Sequence, residues 1–243
     1  MEEKALRLSA VFLMILTAVS FVLLPKLPAL HTWEVEAREE RIAEEEFAQS
    51  QVTMQNLKIK EQNEAAGAKG ELSIRLPEGV TGDQIAVSND YVTQTIRVEI
   101  PQADRTYFDS YPVLGKSDYI DGLSYTRQGE MGVIEVTTNK VYELQTEYDA
   151  QNFYFNFLTP HEVYDKVVVI DAGHGGRAVG ANKQGINEKD IDLAIVLKLK
   201  EIFDNSDQNI GVYYTRTDDS NPTFDQRVQL ANKSDADLSL IHI

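Results

Sequence analysis

Val167-Val168-Val169-Ile170-Asp171-Ala172-Gly173-His174-Gly175-Gly176 decides how this chain is read. Four consecutive β-branched apolar residues are the pattern of a strand covered on both faces, as in parallel sheets. The strand empties into glycines, which let the backbone turn sharply and leave room for a ligand to approach. A single histidine stands among them. Fourteen residues further on, Glu188 opens a helical pattern with Asn187 as its N-cap, running to about Asp204. Ile191, Ala194, Ile195, Leu199 and Ile202 mark the stripe expected to face inward. Residues 211–215 read as a second strand, 224–232 as a second helix and 238–243 as a third strand. Strand, helix, strand, helix, strand implies a parallel sheet with right-handed crossovers. Functional groups in such sheets collect at the carboxyl ends of the strands, where His174 and His242 fall.

Upstream the pattern changes to short β-type runs. Residues 72–76 and 95–100 alternate apolar with polar, and further runs occupy 132–136, 141–144 and 153–157, with Asn139-Lys140 and Asp149-Ala150 as punctuation. Several short strands at this spacing predict an antiparallel sandwich over residues 67–160, with no cluster of carboxylates or histidines to suggest catalysis. Before it, residues 31–66 are rich in Glu, Gln and Ala, which predicts an acidic helical stalk. Residues 8–24 form an uncharged apolar run flanked by Lys4, Arg7 and Lys26. Residues 1–30 are therefore expected to be an N-terminal membrane helix, with a cleavable signal peptide as the alternative. The basic flank keeps the N-terminus in the cytoplasm and the bulk of the chain on the extracytoplasmic side.

The chain has 243 residues, no cysteine and a formal net charge of −16. Without cysteine there is neither a disulfide framework nor a thiolate metal site, so any metal must be held by His, Asp or Glu. The acidity argues against a nucleic-acid partner, which needs a basic face. Zinc in hydrolases takes three protein ligands and leaves a fourth position for water. His174, Glu188 and His242 supply that count. Each alone has a plainer reading: a glycine loop common to α/β folds, a carboxylate at a helix start, a histidine near the end of an apolar run. Their joint order is what points to a metal. The loop lacks the G-x-G-x-x-G spacing of dinucleotide folds, and no Gly-x-Ser-x-Gly elbow is present. His161 and His31 are assigned no chemistry.

VVVIDAGHGG, then NEKDIDLA, VYYTRTDD and FDQRVQLANKSDADLSLIH resemble the zinc-dependent N-acetylmuramoyl-L-alanine amidases of bacterial cell walls, the type-3 amidases. The resemblance covers residues 166–242. Residues 71–158 are similar, more loosely, to the amidase N-terminal (AMIN) domain that targets such enzymes to the wall. By that resemblance His174, Glu188 and His242 are zinc ligands and peptidoglycan is the partner. The implied reaction is hydrolysis of the amide between muramic acid and L-alanine, the metal polarising the carbonyl and activating water. Three departures stand out. Ala178 occupies a place where the family usually carries Asp. His242 stands five residues past Asp237 where the family has six, a change that flips a strand's faces unless a bulge absorbs it. The family's catalytic glutamate lies on a later strand, beyond Ile243, so residues 161–243 are expected to be a shortened catalytic domain without its general base. The alternative expectation is a membrane-anchored wall-binding protein with no catalysis.

Overall fold

The computed structural model describes residues 55–61 and 70–240. The expected membrane segment, most of the stalk, His31 and His242 lie outside the described residues. Among the described residues no helix is long and apolar enough to cross a membrane.

The first part is a β-sandwich. Its elements are β1 (Gln55–Asn56), β2 (Lys60–Glu61), β3 (Leu72–Arg75), β4 (Ala86–Asp90), β5 (Thr95–Pro101), α1 (Arg105–Ser110), β6 (Leu114–Gly115), β7 (Ile120–Gln128), β8 (Met131–Thr138), β9 (Glu143–Tyr148) and β10 (Asn152–Leu158). They form two five-stranded sheets, ordered β1-β7-β8-β5-β4 and β2-β6-β3-β10-β9. Every pairing is antiparallel except β2 with β6. β5 and β10 alternate strictly between buried and half-buried residues. That period-two pattern puts Ile96, Val98, Ile100, Phe153, Phe155 and Phe157 into one shared core.

Two sequence expectations are corrected here. Residues 55–61 are not the end of a helical stalk but edge strands of the sandwich. Leu57 is buried and Ile59 packs on the core, an i, i+2 alternation that suits a strand. The strand expected at 141–144 begins instead at Glu143, because Val141 is used elsewhere. It sits at 1% exposure with Val167, Val169, Tyr213 and Leu230 in a second core, shared between the sandwich and the parallel sheet.

The second part contains α2 (Pro160–Val163), β11 (Lys166–Ile170), β12 (Asn182–Lys183), β13 (Ile186–Asn187), α3 (Glu188–Asp204), β14 (Ile210–Tyr214), α4 (Phe224–Lys233) and β15 (Leu238–Leu240). The predicted parallel sheet is present in the order β14-β11-β15. β11 is its centre, which explains its run of apolar residues: Val167, Val169 and the α4 residue Leu230 share one core, while Val168, Ile170 and the α3 residue Val196 share another. Further bonds tie the sandwich to this sheet. The Glu143 carboxylate accepts hydrogen bonds from Tyr91 at 2.8 Å and Tyr213 at 2.6 Å. The Val141 amide donates to the Lys233 carbonyl at 3.0 Å.

α3 has the expected limits but not the expected inner face. Asp192 and Val196 are buried, and Leu199 and Phe203 pack beside them. Ile191, Ile195 and Ile202 are exposed, by 50%, 37% and 64%. With Ala194 and Lys198 they line an open apolar groove. The helix carries two apolar stripes about a quarter-turn apart. Its rotation is set by its first turn, which is bonded to the loop that precedes it.

Candidate metal centre

The loop after β11 owes its shape to three consecutive left-handed residues, His174 (φ +58°), Gly175 (φ +136°) and Gly176 (φ +51°). Such a conformation is uncommon for histidine and persists only where the surroundings impose it. Two buried arginines do so. Arg216, just after β14, donates to the carbonyls of Ala172 at 3.0 Å, Gly173 at 2.6 Å, Lys189 at 2.9 Å and Asp218 at 2.9 Å. Arg227, on α4, donates to Ala172 O at 2.6 Å, His174 O at 2.9 Å and Pro222 O at 2.9 Å. It also pairs with the buried Asp171 carboxylate at 2.5 Å, to which Thr215 Oγ1 donates as well. Burial, and then the neighbouring Arg227 guanidinium, pull Arg216 below the ordinary arginine value, while Asp192, Asp219 and Asp171 oppose that pull.

The rest of the loop is bonded from outside. Gly175 and Ala178 exchange backbone hydrogen bonds at 2.9 Å in both directions. The Ala178 side chain is buried. Lys189 Nζ donates to Gly176 O at 2.7 Å and pairs with Asp219 at 2.8 Å, and this bond is the main reason the Asp219 carboxyl lies below its ordinary range. The hairpin of β12 and β13 turns at Gln184 and Gly185, both at positive φ as two-residue hairpin turns require, and delivers the chain to α3.

Asn187 is at the N-cap as expected, but its side chain makes no capping bond. It bonds Asn182 and Asp190 instead. The first helical amides are satisfied by the loop: Glu188 N donates to Ala181 O at 2.8 Å and Lys189 N to Val179 O at 3.2 Å. Glu188 Oε2 accepts from Ala181 N at 2.7 Å. That fixes the carboxylate against the histidine ring, with His174 Nε2 3.3 Å from Glu188 Oε2. A charge-assisted hydrogen bond is shorter, about 2.7–2.9 Å. Two donors each 2.0–2.1 Å from a tetrahedral zinc ion stand about 3.3 Å apart. A Cβ on Gly180 would fall 2.6 Å from both Glu188 Oε2 and His174 Cδ2, so the pair closes over a place only glycine leaves open. The donor chemistry and this cradle fit a zinc ion.

The structure thus brings together two of the three ligands expected from the sequence, His174 and Glu188; His242 lies outside the described residues. It adds Asp192, whose ligand atom lies within 4.8 Å of those of both partners. This is the metal-type cluster found among the described residues. Asp192, Arg216 and Arg227 were not singled out in the sequence. Their one signal there is a charged residue in a helix's inner stripe or directly after a buried strand. His161, assigned no chemistry, has a structural contact: its Nε2 lies 2.8 Å from Asp235 O, beside the turn that enters β15.

An α/β unit whose central strand ends in a His-bearing glycine loop, facing a helix-borne carboxylate, is a candidate metal site. The family model described as N-acetylmuramoyl-L-alanine amidase matches residues 168–243, the segment that contains it. The chain is 39% identical over 77 residues to the N-acetylmuramoyl-L-alanine amidase CwlM of Bacillus licheniformis, covering 31% of this chain and 30% of that protein. It is 44% identical over 79 residues to the endolysin of Bacillus phage SPP1, covering 32% and 29%. A solved structure, the catalytic domain of the amidase CwlV from Bacillus (Paenibacillus) polymyxa var. colistinus, is 38% identical, covering 30% of this chain and 42% of that one, with a TM-score of 0.29. The chain spans about three tenths of the length of these curated relatives.

Proposed function

We propose that this chain carries a zinc-dependent N-acetylmuramoyl-L-alanine amidase unit that hydrolyses the amide between N-acetylmuramic acid and the L-alanine of the peptidoglycan stem. The observation that carries the reading is the His174–Glu188 donor pair at 3.3 Å, inside the segment matched by the amidase family. His174 and Glu188 hold the zinc, with His242 as a further ligand by resemblance. Bound zinc supplies a Lewis acid for the scissile carbonyl and acidifies water. The chain's own residues do the positioning. Arg216 and Arg227 draw the backbone carbonyls of residues 172–174 inward, which leaves the His174 ring facing Glu188. The 38% exposure of the Glu188 side chain leaves the pair open to a large insoluble substrate.

In the same proposal residues 1–30 anchor the chain in the bacterial cell membrane, the remainder stands on the wall side, and the sandwich is an AMIN-like wall-recognition module. Its exposed aromatics Tyr111 and Tyr148 support that role, since aromatic faces stack on sugar rings. The test is incubation of the zinc-loaded chain, extended to include the general-base glutamate that the resemblance places beyond Ile243, with purified, insoluble peptidoglycan. Release of new L-alanine amino termini, abolished by a chelator and restored by zinc, is the expected result. Wall fragments with new reducing sugar ends, or no new alanine termini, would overturn the reading.

A further inference from the structure

The loop from Ala172 to Asn187, between β11 and α3, contains Arg177 and Lys183 and no acidic residue, in a chain where 39 Asp and Glu outnumber 23 Lys and Arg. Both cations are exposed. Neither side chain makes a hydrogen bond or ion pair among the described residues. The acidic groups close by are already engaged: Asp219 with Lys189 and the Gly176 amide, Asp190 with Asn187, and Glu188 with the Ala181 amide. Exposed lysine and arginine usually serve solubility alone. These two differ in the rigidity of the backbone beneath them and in its attachment to the donor pair.

Arg177 stands at the tip of a two-residue hairpin turn. Gly175 and Ala178 exchange backbone hydrogen bonds at 2.9 Å, with Gly176 at φ +51° in the first central position. Gly176 is clamped on both sides, its amide donating to Asp219 O at 2.9 Å and its carbonyl accepting from Lys189 Nζ at 2.7 Å. The Arg177 Cα follows His174 by three residues, hence stands no more than about 11 Å from it. Lys183 is on β12, paired with Ile186 and two residues past Ala181, whose amide holds Glu188 Oε2 at 2.7 Å. Asn182 Nδ2 donates to Asn187 Oδ1 at 2.6 Å and closes the base of that hairpin. Two long cationic side chains are thus carried on fixed backbone within a few residues of the donor pair. Such preorganisation lowers the ordering cost of binding an anion.

We propose that Arg177 and Lys183 form a carboxylate-binding rim beside the His174–Glu188 pair, which makes the site select stem peptides with free carboxylates over amidated ones. The proposal rests on the amidase reading above and names the kind of substrate that site takes. The residue after L-alanine in the stem is D-glutamate, whose carboxylates are either free or amidated. In an extended peptide it lies two residues from the scissile carbonyl, about 7 Å away, inside the distance that separates Arg177 from His174 at full extension. Arginine holds a carboxylate through two parallel N–H bonds and lysine holds it as a point charge. Amidation removes the charge that both recognise.

The experiment is calorimetric titration of the zinc-loaded full chain with N-acetylmuramoyl-L-alanyl-D-glutamate and, separately, with its diamide. The unchanged chain is compared with Arg177→Gln, Arg177→Lys, Lys183→Gln, the double Gln variant, and Lys140→Gln, an exposed cation outside the loop that controls for net charge. The unchanged chain is expected to bind the diacid at least about tenfold more tightly than the diamide. Arg177→Gln and Lys183→Gln should each reduce that preference at least about threefold, and the double variant should abolish it. Arg177→Lys should keep part of it and Lys140→Gln all of it. Should the ligand be cleaved during titration, the ratio of kcat/KM for the two compounds replaces the ratio of affinities. Zinc content and melting point of each variant show that site and fold are intact. A preference unchanged in the double variant overturns the proposal, and so does a loss equal for diacid and diamide, which a purely structural role would give. If the unchanged chain binds both compounds equally, the rim falls and the amidase reading stands. If it holds zinc yet neither binds nor cleaves either compound, the amidase reading falls with the rim.

Discussion

Arg227 reaches from α4 to the carbonyl oxygen of His174 at 2.9 Å while the same guanidinium pairs with Asp171 at 2.5 Å. One side chain thus couples the sheet's central strand, the histidine's strained backbone and the helix after β14. Both members of the ion pair are nearly inaccessible, with side-chain exposures of 8% and 6%. Breaking such a pair strands a buried charge.

Arg227→Ala is therefore expected to lower the stability of the α/β part by about 3–5 kcal/mol, the range for removing one partner of a buried pair. Urea unfolding monitored by the fluorescence of Tyr213 and its neighbours measures it. An unchanged midpoint would show that Asp171 finds another cation and that the loop does not depend on Arg227.

Gly180→Ala puts a methyl group 2.6 Å from Glu188 Oε2 and His174 Cδ2 at a φ of +65°. The expected result is loss of bound zinc together with a stability loss of about 1–2 kcal/mol from backbone strain. Gly185→Ala is the matched control. Its φ of +81° carries similar strain, yet nothing lies within 4 Å of the added carbon, so zinc binding should survive. Equal zinc content in the two variants would remove Gly180 from the site.

Glu188→Gln keeps the shape of the side chain and leaves the helix start intact, because the first amides are bonded to Val179 O and Ala181 O. Turnover of peptidoglycan should fall at least about 100-fold, with circular dichroism unchanged. Residual turnover within about tenfold of the unchanged chain would mean that Glu188 does not hold the metal.

Asp237 sets the register of β15 by accepting from Lys166 Nζ at 2.9 Å and from the Val167 amide at 2.8 Å. The Lys166 bond first, then the amide, holds its carboxyl below the ordinary range. A depressed folded-state value contributes stability that is fully present above the unfolded value of about 4 and is lost as pH falls through the folded one. Asp237→Asn should accordingly be less stable than the unchanged chain at pH 7, and the gap should narrow as pH drops below about 4. Urea midpoints at pH 7 and pH 3 test it; a gap that stays constant would assign the effect to packing.

Glu143 receives hydroxyl bonds from Tyr91 and Tyr213, whose rings meet edge to face with centroids 4.9 Å apart. Burial and the carboxylate push both hydroxyls above the ordinary tyrosine value, so they remain donors up to high pH. Glu143→Ala is expected to cost about 2–4 kcal/mol, two charge-assisted bonds at once. Calorimetry should then resolve separate transitions for the sandwich and the parallel sheet, against the single transition expected of the unchanged chain. A single transition at the original temperature would deny the contact any coupling role.

Sequence alone determined the strand-to-glycine-loop unit, the limits of α3 and α4, and the parallel sheet. These come from local rules: β-branched runs, helix periodicity, and glycines where φ must be positive. It also indicated the sandwich, because β5 and β10 alternate strictly. The strands β4 and β7 carry weaker apolar patterns, and their place in the sheet is settled by the register of β5 and β8 beside them. Which stripe of α3 faces the sheet could be decided only by tertiary structure, since two apolar stripes compete and the bonds of Glu188 and Lys189 to the loop fix the rotation. That rotation is also what buries Asp192 beside His174 and Glu188, and no spacing rule carries it. The same holds for Arg216 and Arg227. They are distant in sequence from the histidine loop and meet it only because β14 and α4 pack against the strand that bears it.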